Sequence, residues 1–163
     1  MQRRGASTLR RGTRTSRRRW IAITLVTTVV WLWAAVAGAL ALPVIPGAAG
    51  YGMETPAGRG GTVYRVTNLN SSGPGSLKAC IDQLGPRVCV FEVSGTIELT
   101  SDLIIRNPYI TIAGQTAPSP GITIKGAALW VQTNDVLIQH IRVRVGDNPI
   151  GPNPENRDAL KIS

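Results

Sequence analysis

Apolar and polar positions alternate in short bursts through the second half of the chain, and Gly, Pro and Asn divide the bursts. In Ile110-Thr111-Ile112 and in Ile122-Thr123-Ile124 the isoleucines fall on every second residue. Such spacing gives a strand one apolar face and one face that meets solvent. Between residues 136 and 145 the phase slips: Val136 and Ile138 share one phase, and Ile141, Val143 and Val145 share the other. This predicts two short strands meeting at a bend at Gln139-His140. The Asn-led bursts NPYITI and NDVLI also recur, with Ile112 and Ile138 26 residues apart. Solenoid repeats have periods of roughly 20 to 50 residues, so the stretch 109–146 predicts successive rungs of a parallel β-helix.

The same reading predicts strands at 62–67, 88–93, 96–99, 103–105 and 159–162. A short helix is expected at 77–84, with Ser76 as its N-cap. Its apolar side would seat against the first strands and close the end of the coil, where backbone groups are otherwise unpaired. The Gly60-Gly61 pair lacks the preceding strand, the following helix and the Lys of a phosphate-binding loop, so a tight entry turn is expected there. Many short strands without a βαβ rhythm leave a β-sandwich or a parallel β-helix, and the recurring units favour the helix.

Composition changes the picture at the N-terminus. Eight of the 18 basic residues lie between Arg3 and Arg19, followed by an uncharged, mostly apolar run from Trp20 to Pro46. A basic n-region before an apolar h-region is an export signal, and Ala37-Gly38-Ala39 and Ala39-Leu40-Ala41 offer small-residue cleavage sites. Ser16-Arg17-Arg18-Arg19-Trp20-Ile21 weakly resembles a twin-arginine signal. The apolar run also reaches the roughly 20 residues that span a bilayer, so a retained anchor is the alternative to a cleaved signal. Residues 1–45 are thus expected to be a signal peptide or anchor, 46–57 a linker, and 58–163 the β-helix domain. From Gly50 onward, ten basic residues stand against nine acidic ones, which leaves no basic footprint for nucleic acid. The domain is expected outside the cytoplasm, secreted or membrane-anchored, as a monomer.

Only two cysteines occur, Cys80 and Cys89, both in the exported part. An oxidising compartment favours a disulfide between the short helix and the strand after Gly85-Pro86, with two buried free thiols as the alternative. Two thiols without a nearby His supply only half a zinc shell.

Six segments in order resemble the pectate lyase family, specifically polysaccharide lyase family 1. They are GYG at 50–52, GRGGTVYRVTNLNSSGPGSL from Gly58, VFEVSGTIEL from Val90, ITIAGQTAP from Ile110, VLIQHIRVRVG from Val136 and RDALKI from Arg157. The resemblance covers nearly everything after Gly50. It implies an all-β, right-handed, single-stranded parallel β-helix with a short N-terminal capping helix. It also implies a secreted enzyme that cleaves polygalacturonate or a related pectic polysaccharide by calcium-dependent β-elimination. A hard cation with oxygen ligands would counter the uronate carboxylate charge and so acidify the C5 proton.

Within that resemblance, Asp158 of RDALKI matches a calcium ligand. The family often has a second acid two residues earlier, where this chain has Asn156, a neutral oxygen donor. Glu155 and Asp147 lie in the same loop and are expected to be solvated. His140 is expected to serve the bend, and Arg142 and Arg144 to share one face, either toward a polyanion or paired with acids of neighbouring rungs. The family's other calcium carboxylates and its arginine base fall C-terminal to the segment that RDALKI begins. The chain is therefore expected to be an N-terminal fragment, truncated after the first rungs, without catalytic residues and inactive as given. Two other functions remain in play: a non-catalytic uronan-binding or cell-surface β-helix, and a galacturonan hydrolase working through paired carboxylates.

Overall fold

A computed structural model describes residues 42–47, 49–147 and 158–163. The export segment and the candidates Glu155 and Asn156 lie outside these residues. Ten strands follow in order: β1 (Thr62–Val66), β2 (Arg87–Phe91), β3 (Gly95–Glu98), β4 (Leu103–Ile105), β5 (Ile110–Ala113), β6 (Ile122–Lys125), β7 (Leu129–Val131), β8 (Val136–Gln139), β9 (Ile141–Arg144) and β10 (Leu160–Ile162). One short helix, α1 (Leu77–Ile81), precedes β2, and a 3-10 turn covers Gly114–Thr116.

The strands form three parallel sheets, ordered β1-β2-β5-β8, β3-β6-β9 and β4-β7-β10. From β2 onward each circuit of the chain adds one strand to each sheet in turn, which is the architecture of a parallel β-helix. The predicted period is realised as register, for Ile112 pairs with Ile138 and Ile110 with Val136. Because the side-chain period of a strand is two, this register stacks like on like inside the coil. Cys89, Ile112 and Ile138 form one inner row, Ile97, Ile124 and Val143 a second, and Leu103, Leu129 and Leu160 a third. Ile110, Ile112, Ile122 and Ile124 are wholly buried. Each such side chain stabilises the fold by about 1.5–3 kcal/mol relative to exposure.

The bend falls where the phase slip predicts it. His140 separates β8 from β9 with φ at 53°, so the apolar phase changes without breaking the rung. Strand β7 is not anticipated by the sequence pattern; Leu129-Trp130-Val131 offers only one alternation between Gly126 and Asn134.

The helix is shorter than expected and ends at Ile81, with Asp82 as C-cap. At its start Ser76 Oγ accepts from the Ala79 N–H at 3.2 Å. Leu77, Cys80 and Ile81 join the core and contact β1, β2 and β4, so α1 caps the coil as its amphipathic pattern implies. Cys80 and Cys89 form a disulfide, with Cα atoms 6.0 Å apart, tying this cap to β2.

Arg87 completes the cap in a way that the sequence does not announce. It is 0% exposed, and among the described residues no carboxylate bonds it. Its five N–H groups all donate to backbone carbonyls: Nε to Cys80 at 3.1 Å, Nη1 to Gly85 and Pro108 at 2.9 Å each, and Nη2 to Ile81 at 2.8 Å and Asn107 at 3.1 Å. Burial, the largest influence, pushes its pKa below the ordinary arginine value, against the charges of Tyr64 and Asp82. A guanidinium stays protonated in proteins, so it acts as a fixed cation at the carboxyl end of α1.

The entry glycines make a turn, as expected. The Gly61 N–H donates to the Gly58 carbonyl at 3.0 Å, and a Cβ on Gly61 would stand 2.0 Å from the Pro86 carbonyl oxygen. Residues 49–57 of the expected linker form turns tied to the coil, with Thr55 Oγ1 donating to Asp135 Oδ1 at 2.8 Å and Ala57 buried.

Candidate functional site

The outward residues of the β4-β7-β10 sheet form a single row across three rungs: Ile104, Trp130 and Lys161. Their neighbours Leu103, Ile105, Leu129 and Val131 face the core, so strand alternation alone turns Trp130 and Lys161 outward. Register then brings together groups far apart in sequence. Lys161 Nζ lies 3.3 Å from Asp102 Oδ2, 59 residues earlier, and 5.7 Å from the centre of the Trp130 ring. The Trp130 indole N–H donates to Ser163 Oγ at 3.2 Å. Asp102 is itself fixed, because its Oδ1 accepts from the Ala128 N–H at 3.0 Å. Beside Asp102 a cleft of about 200 Å³ is lined with hydroxyls from Ser71, Ser72, Thr100 and Ser101, together with Lys78. Lys78 is paired with Asp82 at 2.6 Å.

Asp158 stands three residues before Lys161, exposed at the entrance to β10. Asp147 is exposed after β9. Among the described residues no three His, Cys, Asp or Glu side chains group around a common point. Calcium takes six to eight oxygen ligands. One exposed aspartate does not make that shell, so the described residues do not by themselves fit a calcium ion.

The remaining sequence candidates fall elsewhere. His140, Gln115 and Arg142 line a different cleft, of about 350 Å³, at the corner between the β1-β2-β5-β8 and β3-β6-β9 sheets. Arg142 and Arg144 do share an outward face, on β9, but that strand is not part of the sheet that carries Lys161. Among the described residues Arg142 bonds no acid; it donates to Thr123 Oγ1 at 3.0 Å and to the Pro120 carbonyl at 2.7 Å. The acid of that face, Glu98, pairs instead with Lys125 at 3.3 Å. Sequence reasoning missed Asp102, Trp130 and Lys161. The available signal was parity, since Trp130 sits between buried Leu129 and Val131, and Lys161 between the apolar Leu160 and Ile162 that pair with them in register.

Stacked parallel rungs, apolar inner rows and a capping helix define a parallel β-helix protein. Over 125 residues the chain is 47% identical to "Probable pectate lyase C" of Aspergillus oryzae, a match covering 76% of this chain and 28% of that protein. It is 42% identical over 125 residues to the protein of the same name from Aspergillus fumigatus, and 44% identical over 108 residues to that of Emericella nidulans. No family model matches the chain. The chain belongs to the pectate lyase family on this stretch, and spans about a quarter of the length of these relatives.

Proposed function

We propose that the chain is part of a secreted, calcium-dependent pectate lyase that acts as a monomer on polygalacturonate-type pectic polysaccharide by β-elimination. The observation that carries this reading is the position of Asp158. The one residue matching a family calcium ligand precedes β10, on the sheet whose outward row holds an aromatic ring and a fixed ion pair. A flat parallel sheet with such a row suits an extended sugar chain laid across the rungs. The relatives' name supplies the substrate class. Export is supported by the basic-then-apolar N-terminus, and the Cys80–Cys89 bond accords with an oxidising destination. In this reading Asp158 contributes one carboxylate to the calcium shell. No step of the elimination is assigned to a described residue.

The test is incubation of the full-length gene product with polygalacturonate, with and without a calcium chelator. The expected result is an unsaturated product, detected by its ultraviolet absorbance, that disappears with chelator. Saturated products formed regardless of chelator would replace the lyase with a hydrolase. Tight binding with no product at all would favour the second reading, a non-catalytic uronan-binding or cell-surface β-helix. That reading draws on the lack of a three-membered carboxylate group among the described residues.

A further inference from the structure

We infer that Trp130 and the Asp102–Lys161 pair form a subsite for a sugar ring carrying no negative charge, which in a pectic chain is a methyl-esterified uronate. The inference rests on the pectic reading above and adds a specificity to the same face.

Charge cover carries it. Four ion pairs occur among the described residues, and in three of them every side chain is 43–73% exposed. In the fourth, Lys161 is 28% and Asp102 17% exposed. Solvent screens this pair least, so its two charges cancel most completely. Lys161 is also the sole cation in the row Ile104, Trp130, Lys161. An ionised uronate approaching it also meets Asp102, whose Oδ2 lies 3.3 Å from the ammonium and which the Ala128 N–H holds in place. The like charge offsets what the ammonium would give.

Trp130 points the same way. It is half-buried, Lys161 lies over one face of its ring and Ser163 occupies its N–H, so the rest of the ring offers apolar surface but no donor. An aromatic face packs against the C–H face of a pyranose, and Ile104 one rung away extends that apolar surface to an ester methyl. The adjoining cleft continues the pattern with four hydroxyls and a lysine already paired with Asp82. Hydroxyls there meet sugar hydroxyls, again without a free charge.

The experiment measures binding of the full chain to polygalacturonate and to highly methyl-esterified pectin of matched length. The wild type is expected to bind the esterified chain at least as tightly. Its affinity for that chain should change less than about twofold between roughly 50 and 200 mM salt, where an exposed ion contact would weaken several-fold. Asp102→Asn keeps the Oδ1 acceptor for Ala128 and releases Lys161, and should move the affinity ratio about tenfold toward polygalacturonate. Lys161→Met leaves Asp102 unpaired and should move the ratio the other way. An unchanged ratio in both variants, with wild-type circular dichroism, overturns the subsite and leaves the pectic reading standing. So does a steep salt dependence of the wild type on esterified pectin. Binding of neither polysaccharide overturns both.

Discussion

Arg87 holds Cys80 twice over: its Nε donates to the Cys80 carbonyl at 3.1 Å, and Cys89, two residues along β2 from Arg87, is disulfide-bonded to Cys80. The capping helix is thus clamped to the coil by a covalent bond and by a buried cation whose every donor is used. Removing the cation leaves five backbone carbonyls without these donors, those of Cys80 and Ile81 on buried residues. Arg87→Met is expected to cost about 3–5 kcal/mol in urea unfolding. Arg87→Lys retains charge but has three donors for five acceptors, and should recover only part of that loss.

The disulfide makes a separable contribution. It closes a short loop, with the cysteines nine residues apart. In the chain-entropy account a loop of that size stabilises by about 2.5 kcal/mol, so the double Cys→Ala variant should show a urea midpoint lowered accordingly. Mass spectrometry of secreted, unreduced protein should find no alkylatable thiol. Two labelled thiols would show that the bond does not form.

Two neighbouring glycines are expected to differ when replaced by alanine. A Cβ on Gly60 meets nothing within 4 Å, but the residue sits at φ +72°, so Gly60→Ala should cost about 1–2 kcal/mol for the left-handed backbone. Gly61 needs no such conformation, yet its Cβ would stand 2.0 Å from the Pro86 carbonyl oxygen and 2.5 Å from the Arg87 nitrogen. Both are backbone atoms of the next rung and cannot turn aside. Gly61→Ala should therefore unfold the entry turn more severely than Gly60→Ala, by at least about 2 kcal/mol in thermal or urea melts. Equal effects would mean that β1 can slide away from β2.

These contacts mark where the sequence is legible. The rung was readable because a β-helix repeats its strand phase, so Ile112 and Ile138 announce their own register. The His140 bend was readable because a slipped phase needs a local turn. Arg87 was not, because an arginine is by type a surface residue, and its acceptors come from α1, from Gly85 and from the turn at 107–108, which only the coil brings together. Asp102 and Lys161 were hidden for the same reason, since each looks like an isolated surface charge until register aligns β4, β7 and β10. The resemblance pointed to Asp158 from motif alone, and the candidates next to it in sequence, Glu155 and Asn156, lie outside the described residues.

Asp158 allows the proposed calcium role to be tested apart from stability. It is exposed, precedes β10, and makes no hydrogen bond or ion pair with the described residues. Surface substitutions of that kind change stability by less than about 0.5 kcal/mol, so Asp158→Asn should melt with the wild type. A calcium ligand behaves differently. Replacing a carboxylate by an amide keeps an oxygen donor and removes a negative charge from a hard-cation site, which should weaken calcium affinity by about tenfold or more. Calorimetric titration of the full-length protein with calcium, alone and with polygalacturonate, reads this directly. Unchanged melting with weakened, polygalacturonate-linked calcium binding is expected. Equal calcium affinity in the two proteins would remove Asp158 from the site, and with it the residue on which the calcium part of the proposed function depends.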